Sequence, residues 1–576
     1  MEVNLTPIIK DSFTQYAGAV LQSRALIDVR DGLKPSARQI FYSMLTRKLT
    51  SSNPHKKTAN AVGMAMADYY IHGDSSCTAV IMRAGQPFAM RYPLVDVKGN
   101  AGSLIESGNW ASMRYTESRL SKLSNILFED IDKETIFEWR DSYDNTKQFP
   151  AVLPTKGYYN IVNGCQGIGI GMASSVPQYN LKELNTALIH LLYNPDCDFE
   201  EIYCAPDFAT GAILYNEEEV KQSMKNGTGF ACKLRSVVEF DAKDRCFVIT
   251  EIPYNVYTNT ICGELEQIIE DENNPGIERF NDLTGKTALI KIYLSKKANP
   301  DKVLQYLYKN TSLQYYYSIN FTMLDQGRYP KLFTWKEMLQ AHLEHEKSVY
   351  INGFQFDRRK ILARLHIIEG LMKAISMIDE VIKTIKQSAD AKNASIGLQR
   401  LLNIDEIQAK AILDLKLSRL THLDITKLET EKSGLETEKE RIEAILGDEL
   451  LLKKEIEKGL REVAEKFGDA RRTKILNISN EDETIEKKQL SLSFTNEGAV
   501  FVNETSTLYS QRRNGVGSKF KLDKGEFVDD TLIGNNTDEV LFFTQRGAYY
   551  HLKIGEFNIG EKQYLNSLLP INGDDE

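Results

Sequence analysis

Residues 55–82, HKKTANAVGMAMADYYIHGDSSCTAVIM, predict two short helices joined by a tight turn. The first helix opens with positive charge, the glycine of IHGDSS allows the turn, and the second helix runs through Val80 and Met82. Such a pair is typical of helix-turn-helix and winged-helix units, whose second helix enters the major groove of DNA. Many helix pairs bind nothing, so this pattern alone is a weak indication.

The composition around this stretch is that of a folded multidomain protein. A chain of 576 residues with 42% hydrophobic and 26% charged residues is neither collagen-like, mucin-like nor wholly disordered, and about 100–200 residues per domain gives roughly three to five domains. Its seven cysteines include no CxxC pair, so reduced thiols are expected rather than a zinc ribbon or a disulfide framework. No apolar run approaches the roughly 18 residues of a membrane helix. We therefore expect a cytoplasmic protein without a membrane partner.

The charge is distributed unevenly. A net charge of -9 argues weakly against a nucleic acid partner. Residues 19–57, however, contain eight basic and two acidic residues, whereas residues 401–470 contain twelve basic and seventeen acidic ones. A basic front and an acidic rear fit a protein that binds DNA at one end only.

Behind the helix pair the pattern changes several times. Residues 151–180 include the glycine-rich run NGCQGIGIGMASSVPQYNL, which is not a GxGxxG opening a helix, so dinucleotide binding is rejected. Residues from about 190 to 330 alternate strand-like runs with short helices. Residues from about 334 to 470 have apolar residues at spacings of three and four in two runs, which predict an antiparallel coiled coil with a small helical domain at its tip. Beyond Thr473 short strands predict a β module.

Tyr115, in the run ASMRYTESRL, has the chemistry of a reversible nucleophile. A phenol can attack a phosphodiester, and because phenols ionise near pH 10 the phosphotyrosyl bond can be reversed by a DNA hydroxyl. Arg114 beside it would stabilise the charge on the phosphate. Since the chain has 27 tyrosines, chemistry alone does not single out this one.

Several motifs in colinear order identify the family. SRALIDVRDGLKPSARQIFYSM, IHGDSSCTAVIMRAGQPFAMRYPLVDVKGNAGS and ASMRYTESRL closely resemble the breakage-reunion subunit of bacterial type IIA topoisomerases, that is, the A subunits of DNA gyrase and topoisomerase IV. PTKGYYNIVNGCQGIGIGMASSVPQYNL, VITEIPYNV, AKAILDLKLSRLTHL and FGDARRTKI continue the resemblance over nearly the whole chain.

The resemblance implies a multidomain α/β fold in five parts. They are an N-terminal arm at 1–18, a winged-helix breakage-reunion domain at 19–150, an α/β tower domain with a DNA-bending segment at 151–333, a coiled-coil exit gate at 334–473 with its tip at about 395–420, and a C-terminal β module at 474–576 resembling one pinwheel blade.

The resemblance also assigns the catalytic residues. Tyr115 is the nucleophile that becomes joined to a DNA 5′-phosphate, and Arg114 is its transition-state partner. Arg24 and Lys34 match basic residues around the active site. His72 matches the histidine of the HGD turn, where an imidazole could orient or deprotonate the phenol; without the resemblance it would be read as an ordinary turn residue.

Further residues are implied to contact DNA. Ile168 matches an isoleucine that intercalates and bends the duplex, although composition alone cannot distinguish it from a core isoleucine. Arg38 and Lys57 are expected to contact phosphates, which carry no sequence information, and Ser75 is placed at the DNA surface. Arg512 and Arg513 lie in a segment, 511–517, that resembles the basic gyrase box.

Three departures from the family pattern stand out. Tyr70 and Ile71 replace the histidine and proline of the usual HPHGD turn, and residues 37 and 39 replace polar and basic residues after LKP. Ala79 lies where relatives commonly have an acidic residue that helps to hold a quinolone through a metal-bound water, whereas Ser75 is kept. We expect DNA cleavage to survive these changes and quinolone poisoning to weaken.

The sequence lacks motifs for binding a metal ion and ATP, which indicates that a partner subunit supplies them. The sequence shows neither an acidic metal motif nor a GxxxxGK[ST] loop, so Mg²⁺ and ATP are expected mainly on a B subunit that joins a homodimer of this chain in an A2B2 complex on the nucleoid. His342 and His345 are interpreted as solvated residues of a charged helix rather than as metal ligands.

Four functions stay open from the sequence. A gyrase-like supercoiling subunit is favoured, and a subunit of the topoisomerase IV type is its alternative within the family. A non-catalytic DNA clamp would share the basic front and the coiled coil but would not need Tyr115. A tyrosine recombinase would attach to the 3′ side of the break and usually has a C-terminal nucleophile.

Overall fold

The computed structural model describes residues 5–272, 274–414, 422–476, 489–505, 522–536, 538–544, 549–557, 559–560 and 562–565. The chain divides into two compact units, Met1–Asn477 and Ile478–Glu576. The larger unit contains both helices and sheets, so the predicted α/β class is confirmed. None of the helices in the described ranges offers an apolar stretch long enough to span a bilayer.

The front of the larger unit contains the predicted helix pair. The first of the two helices ends at Asp68 and the second begins at Asp74, directly after Gly73 in extended conformation. A three-stranded sheet, with its third strand in the middle, packs beside them. The elements are α1 Leu5–Val20, a π-helical turn Leu21–Ala25, α2 Pro35–Thr46, β1 Lys56–Lys57, α3 Thr58–Asp68, α4 Asp74–Gly85, β2 Val95–Lys98 and β3 Glu117–Leu120.

The middle of the unit is built from hairpins and two four-stranded sheets. Its helices are α5 Ser124–Leu127, α6 Leu181–Tyr193, α7 Glu217–Asn226, α8 Thr258–Glu270 and α9 Pro300–Asn310. Its strands are β4 Trp139–Asp141, β5 Gln148–Pro150, β6 Cys165–Ile168, β7 Ala173–Val176, β8 Ile213–Leu214, β9 Cys232–Arg235, β10 Val237–Asp241, β11 Cys246–Glu251, β12 Ile277–Asp282, β13 Ile290–Leu294, β14 Gln314–Tyr317, β15 Thr322–Asp325 and β16 Tyr329–Leu332.

One sheet extends across the predicted boundary at residue 474. The sheet orders are β10-β11-β13-β12 and β14-β9-β8-β17, where β17 is Lys474–Ile475 and pairs in parallel with β8. These two residues therefore belong to the larger unit, which ends at Asn477, and the C-terminal module begins after it rather than at residue 474.

A long helical arm follows β16. Thr334 and Glu337 form a reciprocal capping box that starts α10, Trp335–Ser376. The arm continues through α11 Ile378–Gln387, α12 Ala391–Leu402, α13 Glu406–Leu413, α14 His422–Gly447 and α15 Glu449–Phe467. The ion pairs Arg358–Glu443 and Arg364–Glu431 show that α10 and α14 run antiparallel.

The arm differs from the prediction at its tip and at its root. The tip core already includes Leu371 and Val381 and extends to Ile412, so it begins before the predicted 395, and residues 415–420 lie outside the described residues. At the root, α15 packs into the main core through Ile456 and Leu460. That core extends from Ile27 to Val463 and crosses the predicted boundary at 150 without interruption.

The smaller unit is a β module. Its strands are β18 Gln489–Thr495, β19 Ala499–Glu504, β20 Val528–Asn535, β21 Glu539–Phe543, β22 Tyr549–Lys553 and β23 Lys562–Tyr564. Its sheet has the order β20-β18-β19-β23, and β21 and β22 form a separate hairpin. Arg512, Arg513 and the rest of the predicted box at 511–517 lie outside the described residues.

Candidate active site

Tyr115 lies in a turn at the end of the loop that leads into β3. Its backbone N–H donates to the Ser112 carbonyl at 2.8 Å. The first residue of α3 holds the adjoining backbone, because the Thr58 N–H donates to the Thr116 carbonyl at 3.0 Å and the two threonine hydroxyls are 2.9 Å apart. The Tyr115 side chain is 64% exposed. The loop therefore presents a phenol to solvent beside the positive N-terminal end of a helix.

Two exposed cationic side chains contact Tyr115, one at its ring and the other at its backbone carbonyl. The Arg114 guanidinium carbon lies 4.8 Å from the centre of the Tyr115 ring. Lys57 Nζ lies 3.5 Å from the Tyr115 carbonyl oxygen and forms an ion pair of 3.1 Å with Glu117. Positive charge at this position would stabilise the negative charge that develops when the phenol oxygen attacks a phosphate.

His72 lies in the turn before α4, and Tyr70 holds that turn. The two rings meet edge to face with their centres 5.3 Å apart, and the Tyr70 hydroxyl is 2.7 Å from Ser76 Oγ. Tyr70 is buried, whereas His72 and Ser75 are exposed. A tyrosine in place of the family's histidine thus gives the turn a packed support and leaves the imidazole accessible.

Lys34 and Arg24 lie beside the β6–β7 hairpin. Lys34 Nζ donates to the Gln166 carbonyl at 2.6 Å. The hairpin approaches the π-helical turn that contains Arg24 so closely that a Cβ at Gly167 would lie 2.2 Å from the Ala25 carbonyl oxygen. A residue with a side chain at 167 would force the hairpin away from this turn, which explains the glycine there.

Ile168, at the end of β6, is 89% exposed. It pairs with Ala173 across the hairpin, whose tip passes through Gly171 at a φ of 72°. The alternative of a core isoleucine is therefore excluded. Exposure of a large apolar side chain at a hairpin tip is the geometry that a wedge between base pairs requires.

Arg38 does not have the predicted phosphate-binding position. Its side chain is buried and forms a bidentate ion pair with Asp31 at 2.7 and 2.8 Å, and it also donates to the Leu33 carbonyl. Asp31 accepts a further bond from the Leu153 N–H at 3.1 Å. The prediction is wrong because Arg38 neutralises a buried carboxylate and ties the loop before α2 to residue 153.

Six of the predicted residues fall into two groups on different elements, and His72 and Ser75 lie around the start of α4. The first group is Tyr115, Arg114 and Lys57; the second is Lys34, Arg24 and Ile168. Helix α4 lies between them, because Thr78 Oγ1 is 3.8 Å from the Met113 sulfur in the tyrosine loop and Val80 lines a cavity of about 400 Å³ together with Lys34. Within the described ranges no hydrogen bond, ion pair or ring contact joins His72 to Tyr115.

The donors around Tyr115 do not fit a divalent cation. Mg²⁺ prefers oxygen ligands in octahedral geometry, whereas the groups beside the phenol are cationic and Glu117 is paired with Lys57. In the part of the chain that the structure describes, no three His, Cys, Asp or Glu side chains are grouped to hold a metal ion.

His342 and His345 form a buried cluster that the sequence analysis missed. The prediction of solvated histidines is wrong, because both are buried on the face of α10 that packs into the main core. A ring nitrogen of His345 is 2.9 Å from the Leu153 carbonyl. His342 Nδ1 donates to the Arg30 carbonyl at 2.7 Å, and its ring stacks on Tyr159 with centres 4.0 Å apart.

Glu346 completes this cluster. Its Oε1 accepts the Gly157 N–H at 2.5 Å, and its Oε2 faces His342 Nε2 at 3.7 Å. Burial raises the pKa of Glu346 to about 8 and lowers the pKa of His342 to about 3. Both groups are therefore uncharged near neutral pH. The sequence contained the signal, since these residues continue the apolar spacing of Trp335 and Leu339 along one helix face.

Comparison with known proteins agrees with this geometry. The family model for the A subunit of DNA gyrase and topoisomerase IV matches residues 24–461. The chain is 37% identical over 566 residues to the DNA gyrase A subunit of Staphylococcus epidermidis, 37% over 565 residues to that of Staphylococcus aureus and 36% over 572 residues to that of Metamycoplasma arthritidis. These alignments cover 96–97% of the chain and 63% of each relative, so the chain spans less than two thirds of their length. The chain belongs to the family of DNA gyrase and topoisomerase IV A subunits.

Proposed function

We propose that this chain is the DNA breakage-reunion subunit of a type IIA topoisomerase, in which Tyr115 makes a transient double-strand break through which a second duplex passes. The observation that carries the proposal is the exposed Tyr115 phenol, with the Arg114 guanidinium against its ring and Lys57 at its backbone carbonyl, at the motif that matches the family's nucleophile. Membership of the family supports it.

The chemistry proceeds without net energy input. The Tyr115 phenol oxygen forms a bond to a backbone phosphorus, and the bond from that phosphorus to the 3′ oxygen of the preceding deoxyribose breaks. The phenol proton ends on the released 3′-hydroxyl, with His72 as the acid–base candidate. Arg114 stabilises the charge on the phosphate during the transfer. The reverse step reseals the strand, so the phosphotyrosyl bond conserves the energy of the broken one.

The fold supplies parts for the other steps of the proposal. Residues 19–150 act as a winged-helix domain with α4 toward DNA, and residues 151–333 act as a tower domain from which Ile168 enters and bends the duplex. Arg24, Lys34 and Lys57 contact phosphates, and Ser75 lies at the DNA surface at the start of α4. The arm at 334–473 forms an exit gate that closes through its tip, where Ile407 and Ile396 are exposed apolar residues.

The proposal requires partners. Two copies of this chain cut opposite strands, one Tyr115 on each, and a B subunit completes an A2B2 complex. Since the groups at Tyr115 do not fit Mg²⁺, we assign the metal and ATP to the B subunit, where a bound metal ion would supply charge stabilisation for the leaving oxygen. The complex would act in the cytoplasm on the nucleoid.

A gyrase-like activity is favoured over topoisomerase IV-like decatenation and relaxation. The curated relatives named above are gyrase A subunits, and the sequence at 511–517 resembles the gyrase box. The test combines the chain with its cognate B subunit and ATP, and supplies relaxed and linked DNA circles. Net negative supercoiling of the relaxed circles supports the gyrase assignment. Decatenation without supercoiling overturns it.

The central test uses Tyr115→Phe, which keeps the ring and removes the nucleophile. Holoenzyme reactions stopped with denaturant should show protein covalently attached to 5′ ends with the wild type and none with Y115F, whereas Tyr143→Phe, at another exposed tyrosine, should behave as the wild type. Attachment to the 3′ ends would favour a recombinase, and identical topological activity of wild type and Y115F would favour a clamp.

A further inference from the structure

Arg91, between α4 and β2, binds carboxylates from two distant parts of the chain. Its Nε and Nη2 donate to Asp207 Oδ2 at 2.9 and 2.7 Å, and its Nη1 donates to Asp469 Oδ2 at 2.8 Å. The Arg91 and Asp207 side chains are fully buried, whereas Asp469 is 40% exposed. Arg91 thus connects the front of the chain to a residue 378 positions later.

The same carboxylates fix the residues that leave α15. Asp207 Oδ1 accepts the backbone N–H groups of Arg472 and Thr473 at 2.8 and 2.9 Å. Asp469 Oδ1 accepts the Tyr92 hydroxyl at 2.9 Å. Asp207 therefore accepts at least two bonds on each oxygen, and the end of α15 is held by side chains from the segment that precedes β2.

That segment leads directly to the proposed nucleophile. Strand β2 begins at Val95, four residues after Arg91, and pairs with β3 so that Lys98 lies opposite Glu117. Glu117 is two residues beyond Tyr115. One pair of hydrogen-bonded strands therefore separates the buried guanidinium from the tyrosine loop.

We propose that Arg91 is a positioning residue that makes the end of α15 and the Tyr115 strand move as one body, so that separation of the cut DNA ends displaces the arm. This inference rests on the proposed function, because it concerns the passage of a duplex after cleavage. A coupling role affects strand passage without affecting cleavage, so the two activities are measured separately.

Only arginine fits this position. Its planar guanidinium presents donors on several edges, so it can bind Asp207 along one edge and Asp469 along another. A lysine keeps the charge but has a single ammonium group at the end of a flexible chain. Arg91→Lys should therefore keep one carboxylate and release the other, which breaks the connection with the least change in buried charge.

The experiment compares Arg91→Lys, Asp469→Asn and the double variant in the full chain with its cognate B subunit, ATP and supercoiled plasmid. The matched control is Arg461→Gln, which removes an exposed ion pair of 2.7 Å with Glu457 on the same helix, away from Arg91. Four quantities are measured: covalent cleavage after denaturant, the rate of strand passage, the thermal midpoint, and hydrogen exchange of residues 95–98 and 449–467.

Loss of one charged hydrogen bond changes the equilibrium between two conformations by a factor on the order of ten. We expect R91K and D469N to slow strand passage by about this factor while cleavage stays within about twofold. The double variant should be no slower than R91K, because both changes remove the same contact between residues 91 and 469. Exchange should rise in both segments together, and R461Q should match the wild type.

Two results overturn the inference: passage at the wild-type rate in R91K, or loss of cleavage and passage in equal proportion with a lower thermal midpoint, which marks a purely stabilising role. Failure of the proposed function looks different, because the wild type itself then forms no covalent complex. In that case the exchange data still decide whether Arg91 joins the two segments: a joint rise in R91K supports the connection, and a rise in only one segment refutes it.

Discussion

The buried pair of His342 and Glu346 predicts that the root of the arm loses stability as the pH rises above neutrality. His342 Nδ1 must carry a proton because it donates to the Arg30 carbonyl, so its bare Nε2 faces Glu346 Oε2 at 3.7 Å. An ionised Glu346 would place negative charge against this lone pair in a buried site. The folded pair therefore retains one titratable proton, on Glu346.

The magnitude follows from proton counting. In the folded state the pair holds one proton between its pKa values of about 3 and about 8. In the unfolded chain, with ordinary values of 6.5 and 4.5, it holds one proton between pH 4.5 and 6.5 and none above. Above pH 6.5 the folded state binds more protons, so stability falls by about 1.4 kcal/mol per pH unit. The loss by pH 8 is about 2 kcal/mol, and a similar loss occurs between pH 4.5 and 3.

The neighbouring charges do not offset this loss, because they are already paired. Lys156 binds Asp130, and Arg30 binds Asp28. Asp31 is bound by Arg38. The pKa of His345 is lowered by burial, and its Nε2 donates to the Leu153 carbonyl.

The assay is urea-dependent hydrogen exchange of residues 335–350 from pH 6 to 8.5, because a local probe does not assume that the whole chain unfolds in one step. The comparison is Glu346→Gln, whose amide can accept from Gly157 and donate to His342 without titrating. Near pH 6.5 the two proteins should have similar free energies of opening, and at pH 8 E346Q should be more stable by about 2 kcal/mol. A difference that stays constant over this range would refute the reasoning.

Further predictions concern DNA binding and stability. Ile168→Ala should reduce bending of a duplex labelled for energy transfer without changing the thermal midpoint, since the side chain is 89% exposed; unchanged bending would remove the wedge assignment. Ala79→Glu should increase the amount of cleavage complex trapped by a quinolone. If A79E and the wild type trap equal amounts over the quinolone titration, position 79 does not weaken quinolone binding. Arg38→Gln should destabilise the fold by about 3–5 kcal/mol in urea unfolding because Asp31 is left as a buried unpaired charge. Lys57→Gln should leave stability unchanged. It should reduce the slope of the logarithm of the DNA-binding constant against the logarithm of the salt concentration by about one. Equal slopes for K57Q and the wild type would contradict a phosphate contact by Lys57.

Local signals predicted the helix pair but placed its start too early. The turn glycine and the apolar spacing of α3 and α4 are properties of neighbouring residues, and both were predicted correctly. Lys56 and Lys57, however, form a strand against β3 instead of the first turn of a helix. Their partner lies some sixty residues away, and no local pattern reveals such pairing.

The charged residues were harder to predict than the apolar ones. A basic residue in a basic segment suggests a phosphate contact, yet Arg38 is neutralised by Asp31, on the loop before its own helix. The contacts of Arg91 were not predictable, since Asp207 and Asp469 are 116 and 378 residues away. His342 is the opposite case. Its spacing from Trp335 and Leu339 places it on the apolar face of α10, but histidine as a residue type favours an exposed position.

The continuity of the main core from Ile27 to Val463 has a consequence for synthesis of the protein. Residues at the front cannot complete their packing until α15 has left the ribosome, and at about 5–20 residues per second this takes on the order of tens of seconds. During that time apolar faces of α6 and α10 have no final partner. The nascent chain should therefore depend on chaperones that shield such surfaces, far more than a protein whose domains mature one after another.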